Sequence, residues 1–143
     1  MPTLRRTLTT ILLAAMALFL AACSFTENKQ AAEQTADTLY LSLAIGDIEG
    51  VLDLYSDRFY QETSREDARM FWNTILDRLG QYHSHELISW DVTTQANTQF
   101  IGTVTVLVYN VHYSHYDATE ELTFLGSSPP QLVGHYVRSD ALF

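Results

Sequence analysis

The sequence has very little cysteine, since Cys23 is the only one among 143 residues. A lone cysteine cannot form an intrachain disulfide, so no disulfide within the chain holds the fold together. An unpaired thiol is also unusual in an exported protein, because exported proteins meet oxidising conditions. The position of Cys23, directly after an apolar N-terminal run, therefore needs its own explanation.

Basic residues are also scarce. The chain has eight Lys and Arg against seventeen Asp and Glu, a net charge of −9. Residues 1–22 contain two of the basic residues and none of the acidic ones, so the remainder has six against seventeen, a net charge of −11. Such a surface lacks a basic patch for phosphates, which argues against nucleic-acid binding and against close contact with anionic lipid.

The sequence also lacks an apolar run long enough for a permanent membrane span. The N-terminal run from Ile11 to Leu20 covers ten residues, whereas a helix needs roughly twenty to cross a bilayer. Arg5 and Arg6 precede this run and small residues follow it, as in a secretory signal peptide. Residues 1–22 are therefore predicted to be a signal peptide rather than an anchor.

The signal ends in Leu20-Ala21-Ala22-Cys23, which resembles the lipobox of bacterial lipoproteins. The resemblance implies cleavage before Cys23 and acyl chains such as palmitate on the new N-terminus. Each acyl methylene buried in lipid contributes about 0.8 kcal/mol, so more than one chain gives a stable anchor. Ser24 resembles the outer-membrane sorting signal of Gram-negative lipoproteins. We expect a protein anchored in the outer membrane and facing the periplasm, with residues 23–28 as the lipidated tether; cleavage without lipidation is the alternative.

Three amphipathic helices are predicted after the tether. The first starts near Asn28 and ends near Gly46. Asp47 can cap a short second helix, and Ser64 begins a capping-box pattern for a third, which Gly80 ends. Apolar residues repeat at i, i+3 and i+4 in the three helices, at Ala32, Ala36, Leu39 and Leu43, at Ile48, Val51, Leu52 and Tyr55, and at Ala68, Phe71, Trp72, Ile75 and Leu79.

Beyond Gly80 the apolar period changes from about 3.6 to 2, which indicates strands. Four strands are predicted, at Leu87–Thr94, Phe100–His115, Glu120–Leu125 and Leu132–Arg138. The turns between them are short and polar, which favours antiparallel pairing. The predicted fold class is α+β, with three N-terminal helices packed on a curved antiparallel sheet of about four strands, in one domain over residues 29–143.

The motifs Leu41-x-Leu43-x3-Gly46-Asp47 and Val51-x3-Tyr55, followed by a sheet that ends in a strand like Leu132 to Arg138, resemble the nuclear transport factor 2-like superfamily. The resemblance covers nearly the whole chain after Cys23, and its motifs concern packing rather than chemistry. It implies a cone-shaped pocket between the first helix and the concave face of the sheet. The residues expected to line that pocket are Leu39, Tyr40, Tyr55, Phe59, Trp72, Trp90, Tyr109 and Tyr136. Ordinary core packing is the alternative for each of them.

No catalytic residue is predicted. Enzymes of that superfamily place a Tyr, Asp or His deep in an apolar pocket, and Tyr40, Asp57 and Asp91 could form such a set. No pair of residues, however, has the spacing of a nucleophile and its base. The alternative to a non-catalytic role is a small-molecule carrier or an isomerase- or dehydratase-like enzyme that uses the cone pocket.

The histidines do not predict a metal site. Two of them form an HxH pair, which is a weak signal for a site with two or three imidazoles, and histidines in a tyrosine-rich sheet are more often half-exposed strand residues. No cofactor is expected either. The five histidines of the chain are His83, His85, His112, His115 and His135.

The aromatic run Tyr109, Val111, Tyr113 suits either a core strand or a protein interface. A homodimer or an envelope protein partner is therefore a possible use of this strand, with membrane contact made through the lipid on Cys23. The function expected from the sequence is a non-catalytic binding or protein-interaction domain of the bacterial envelope.

Overall fold

The computed structural model describes residues 2–98 and 100–142; within the first helix it describes the side chains of residues 11 and 16 and those from residue 23 onward. The helices come first in the chain, with α1 at Pro2–Ala44, α2 at Ile48–Leu54, α3 at Phe59–Glu62 and α4 at Arg65–Leu79. The strands follow, with β1 at Tyr82–Ala96, β2 at Ile101–Tyr113, β3 at Asp117–Leu125 and β4 at Gln131–Arg138, before a 3-10 turn at Asp140–Leu142. The predicted α+β class is confirmed.

Helix α1 starts much earlier than the predicted start near Asn28. Neither glycine nor proline occurs between residues 3 and 44, and alanine and leucine are frequent there, so no residue interrupts the helix. Residues 23–28, expected as a tether, lie within this helix.

The remaining helix ends follow the local signals in the sequence. Gly46 has a φ of 73° just after α1, and the side chain of Asp47 accepts a hydrogen bond from Gly50 N at 2.9 Å to cap α2. Ser64 Oγ accepts from Asp67 N at 3.0 Å to cap α4. The four-residue helix α3 was not predicted, because one turn is too short to show a period.

The four strands form one antiparallel sheet in the order β1-β2-β3-β4. Strand β1 begins five residues before its predicted start at Leu87. In β2 one face is continuously buried, as the alternation predicts, at Thr105, Leu107, Tyr109, Val111 and Tyr113.

The core lies between this face of the sheet and the apolar stripes of α1, α2 and α4. Leu39 and Tyr40 of α1 and Trp72 of α4 are almost completely buried in it. Phe71 was predicted to belong to the stripe of α4, but it is 37% exposed. It lies at the margin of the buried stripe, where its ring meets Trp72 edge-on at 5.5 Å.

Gly80 joins α4 to β1 at a point where only glycine fits. Its φ is +90°, and a Cβ on it would overlap Ser114 Oγ in the turn between β2 and β3. The same turn is tied to the end of α4, since His115 N donates to Leu79 O at 2.9 Å. The close approach of helix and turn therefore depends on the missing side chain.

We expect Gly80→Ala to lower the free energy of unfolding by about 3 kcal/mol or more, because backbone strain and overlap with Ser114 act together. Gly46→Ala is the matched control: its φ is also positive, but a Cβ there meets nothing within 4 Å. It should cost only about 1–2 kcal/mol. Urea unfolding followed by tryptophan fluorescence measures both, and equal losses would contradict the close approach at Gly80.

Candidate functional site

The residues predicted to line a cone pocket fall into two groups. Five are buried in the core, and Phe59 is partly buried against it. The five are Leu39, Tyr40, Tyr55, Trp72 and Tyr109. Trp90 and Tyr136 are 49% and 54% exposed, so the structure does not bring them into this interior.

A carboxylate at the centre of the core organises the interior. Glu120, on β3, is 0% exposed. Its Oε1 accepts a hydrogen bond from the Tyr113 hydroxyl at 2.6 Å. Its Oε2 lies 3.1 Å from the Tyr40 hydroxyl and 2.8 Å from His135 Nε2. Three donors from α1, β2 and β4 thus converge on the two carboxyl oxygens of one side chain.

The network continues from His135 to α4. Trp72 Nε1, which can only donate, donates to the Tyr55 hydroxyl oxygen at 3.1 Å. The Tyr55 hydroxyl lies 2.8 Å from His135 Nδ1. All the hydrogen bonds are satisfied together when the Tyr55 hydroxyl donates to His135 Nδ1 and His135 Nε2–H donates to Glu120. We call these six residues the carboxylate cluster: Glu120, Tyr40, Tyr113, His135, Tyr55 and Trp72.

The buried hydroxyls of the cluster resist ionisation. Burial raises the pKa of Tyr40 well above its usual value, and the charge of Glu120 raises it further. Burial and Glu120 also raise the pKa of Tyr113. Burial raises the pKa of Tyr55, although the hydrogen bond from Trp72 partly opposes this shift. These tyrosines are therefore neutral hydrogen-bond donors at neutral pH.

The cluster has the chemistry of a structural network rather than of a free acid or base. Each polar atom that could act on a substrate already has a partner within the cluster. Of the residues considered for catalysis, Tyr40 belongs to this network, whereas Asp57 and Asp91 are exposed.

Sequence reasoning did not identify Glu120 or His135 as parts of this centre. The sequence of β3 did contain a signal for Glu120. Every second residue of this strand is buried, and these residues are Ala118, Glu120, Leu122 and Phe124. A glutamate in the middle of an apolar alternation is a candidate buried carboxylate.

A second tyrosine–histidine–carboxylate series lies nearer the surface. The Tyr82 hydroxyl is 2.7 Å from His85 Nδ1, and His85 Nε2 is 3.2 Å from Asp37 Oδ1. The ring of Tyr40 stacks on His85 with a centroid separation of 4.2 Å. Tyr40 thus connects the surface series to the carboxylate cluster, through its ring on one side and its hydroxyl on the other.

His85 and Asp37 border an open depression of about 560 Å3 between α1 and β1. We call it the groove; it is lined by Gln30, Glu33, Gln34, Asp37, His85, Leu87 and Tyr109. Most of these side chains are hydrogen-bond acceptors or carry negative charge. The groove is therefore suited to a polar ligand rather than an apolar one.

Tyr109 is the unusual residue of the groove. It is 2% exposed, and its hydroxyl has no hydrogen-bond partner among the residues that the structure describes. Burial raises its pKa, and the nearby carboxylates of Glu33 and Asp37 raise it further. A buried hydroxyl without a partner costs free energy, commonly about 1–3 kcal/mol. An incoming group that hydrogen-bonds to it would recover part of that cost.

The chain places one of its own ammonium groups beside the groove. Lys29 Nζ lies 2.9 Å from Glu33 Oε2 and 5.5 Å from the ring centroid of Trp90. The exposed Trp90 thus serves as a platform for a cation rather than as part of the interior.

A smaller depression of about 170 Å3 lies at the other end of the core. It is lined by Tyr55, Phe59, Thr63, Ala68, Phe71 and His135. Both ring nitrogens of His135 already have partners in the carboxylate cluster, so this depression offers aromatic surface rather than a reactive group.

The other positions considered from the sequence are dispersed. His83 and His115 are exposed, and His112 lies 2.8 Å from Asp117 at the surface. In the part of the chain that the structure describes, no three His, Cys, Asp or Glu side chains form a group that could hold a metal ion. Tyr109, Val111 and Tyr113 are buried in the core of their own domain.

Cys23 is exposed on α1 as a free cysteine. Over residues 2–98 and 100–142, the structure contains no helix with the length and hydropathy needed to cross a membrane. Comparison of the chain with protein-family models, with curated proteins and with solved structures finds no significant match.

Proposed function

We propose that this protein is a lipid-anchored, non-catalytic binding domain of the bacterial envelope, with a nuclear transport factor 2-like fold and a ligand site in the groove. The fold assignment is supported by helices that precede and pack on a four-stranded antiparallel sheet. The observation that carries the binding role is the buried Tyr109 hydroxyl, which lacks a partner among the described residues and borders an open polar groove.

Two observations favour binding over the alternative of an enzyme that uses a cone pocket. The interior where such a pocket would lie is occupied by buried side chains, including Tyr40 and Trp72. The acidic group at its centre, Glu120, is engaged by three donors. A catalytic acid or base needs a free position within hydrogen-bond reach of a substrate.

The anchor is supported by the sequence Leu20-Ala21-Ala22-Cys23 and by the exposure of Cys23. Ser24 is the basis for proposing the outer membrane, with the domain facing the periplasm. The acidic surface fits a domain that is held beside the membrane by lipid rather than by attraction to anionic headgroups.

Mass spectrometry of the full-length protein, extracted from its own envelope in mild detergent, tests both parts of the proposal. The denatured mass should show loss of residues 1–22 and added acyl chains on Cys23. The native mass should show an additional small molecule. The variant Cys23→Ser should carry no acyl mass.

Cleavage without acylation would contradict the lipid anchor. A native mass that contains only the lipidated chain, or the chain with a protein partner, would contradict a small-molecule site in the groove. The second result would favour a protein-interaction domain instead.

A further inference from the structure

The groove presents groups that match a cationic amine. Its lining includes two carboxylates, Glu33 and Asp37, and the unpartnered hydroxyl of Tyr109. An ammonium group has three donors and no acceptor, so it pairs with acceptors of this kind. An anionic ligand would meet repulsion from both carboxylates, and a neutral apolar ligand would leave the Tyr109 hydroxyl unsatisfied.

Lys29 shows how such a group is held. Its ammonium pairs with Glu33 at 2.9 Å and lies over the ring of Trp90 at 5.5 Å. A carboxylate together with an aromatic face is a standard environment for an organic cation. The same helix repeats the carboxylate one turn later at Asp37, which has no lysine or arginine partner among its described contacts.

The spacing of the two carboxylates suggests the shape of the ligand. Glu33 and Asp37 are four residues apart on α1, so their side chains are neighbours on one helix face, with Cβ atoms about 6 Å apart. Two carboxylates that are neighbours on one helix face can be paired at once by the two ammonium groups of a short linear diamine such as 1,4-diaminobutane. One ammonium would pair with Asp37 and donate to the Tyr109 hydroxyl, while the other would compete with Lys29 for Glu33 and Trp90.

We infer that the groove binds a linear diamine or polyamine, with Glu33 and Asp37 holding its ammonium groups. This inference rests on the proposed binding function and specifies the chemical class of its ligand. The Tyr109 hydroxyl is buried in the wall of the groove, so this contact with the ligand requires that a side chain at the rim move first.

The test is isothermal titration calorimetry of the full-length chain in mild detergent, with 1,4-diaminobutane as the probe. Butane-1,4-diol and succinate are the matched neutral and anionic probes, and MgCl2 at equal ionic strength tests for unspecific attraction to negative charge. We expect saturable binding of the diamine and none of the other three.

Substitutions locate the site. Glu33→Gln and Asp37→Asn should each weaken diamine binding by about twofold to fivefold, which lies within the range for an exposed charge pair. Tyr109→Phe should also weaken it. Lys29→Met should tighten it about threefold, because the resident ammonium no longer competes for Glu33 and Trp90.

Two control variants test whether diamine binding depends on the groove or only on the overall charge of the protein. Arg138→Met removes a cation that also lies over an aromatic ring, Tyr136 at 5.6 Å, but on β4. Glu121→Gln removes an exposed carboxylate on β3. Neither should change diamine binding measurably.

Failure of this inference can be distinguished from failure of the proposed function. If the diol or succinate binds and is weakened by Tyr109→Phe, the groove is a ligand site but not for amines. If MgCl2 competes as well as the diamine, the binding is counter-ion attraction and the inference is overturned. If no probe binds, the inference that the groove binds an amine is overturned. The proposed binding function is then tested separately, by the native mass of the protein extracted from its envelope.

Discussion

Replacing Glu120 with alanine is expected to lower the free energy of unfolding by about 3–5 kcal/mol, because each buried donor left without an acceptor costs about 1–3 kcal/mol and the missing side chain leaves a cavity. The substitution leaves the hydroxyls of Tyr40 and Tyr113 and the Nε2–H of His135 buried without an acceptor. It also leaves a cavity, because Glu120 is completely buried. Urea unfolding at pH 7, followed by tryptophan fluorescence, measures the loss.

Two further variants separate these causes. Glu121→Ala removes the neighbouring carboxylate on the exposed face of β3 and should change the free energy of unfolding by no more than about 0.5 kcal/mol. Glu120→Gln keeps the volume but brings an amide donor among three donors, so a substantial loss should remain. A loss below about 1 kcal/mol for Glu120→Ala would contradict the carboxylate cluster.

The second large effect is a steep loss of stability at alkaline pH. Burial holds the pKa of Tyr40, Tyr55, Tyr109 and Tyr113 above the usual value near 10. Their stabilising contribution is complete below the unfolded-state pKa, where the phenols are neutral in both states. As the pH rises above about 10, the unfolded chain loses protons that the folded chain keeps, and the free energy of unfolding falls.

Each such tyrosine contributes a slope that approaches about 1.4 kcal/mol per pH unit well above pH 10, so four together approach about 5.5 kcal/mol per unit. Urea unfolding at a series of pH values between 8 and 11 measures this slope. Tyr113→Phe should reduce this slope by about one quarter. Tyr116→Phe, which removes an exposed phenol, is the matched control and should leave the slope unchanged.

Absorbance of phenolate at 295 nm gives an independent reading of the same property. The protein has eight tyrosines, and the four buried ones should ionise only when the chain unfolds. If all eight ionised together near pH 10 in the folded protein, the proposed origin of the alkaline instability would be wrong.

Local signals made much of the fold predictable. Gly46, Ser64 and Gly80 mark helix ends through backbone conformation and capping, which depend on a few neighbouring residues. The alternation in β2 identified the buried face, since neighbouring side chains on a strand point to opposite sides. The start of α1 was missed because polarity after Cys23 suggested a tether, although no helix-breaking residue occurs there.

The candidate site depended on contacts that no local pattern contains. Glu120 meets Tyr40 across 80 positions of the chain, so the network becomes visible only when α1, β2, β3 and β4 are assembled. Trp90 lies opposite Leu107 on the helix-facing side, but β1 is an edge strand and leaves the ring half open. Tyr136 lies opposite the exposed Glu121, on the outer face of the sheet.

If Cys23 is acylated as proposed, the unbroken helix α1 also determines how far the groove can lie from the lipid. After cleavage before Cys23, the helix would begin at the acylated residue and continue without interruption to Glu33 and Asp37. At a rise of about 1.5 Å per residue, these carboxylates would lie only about 15–21 Å along the helix from the anchor. Whatever the tilt of this helix, its length would keep the groove within roughly 20 Å of the acylated residue, so the groove would meet solutes close to the bilayer rather than those deep in the periplasm.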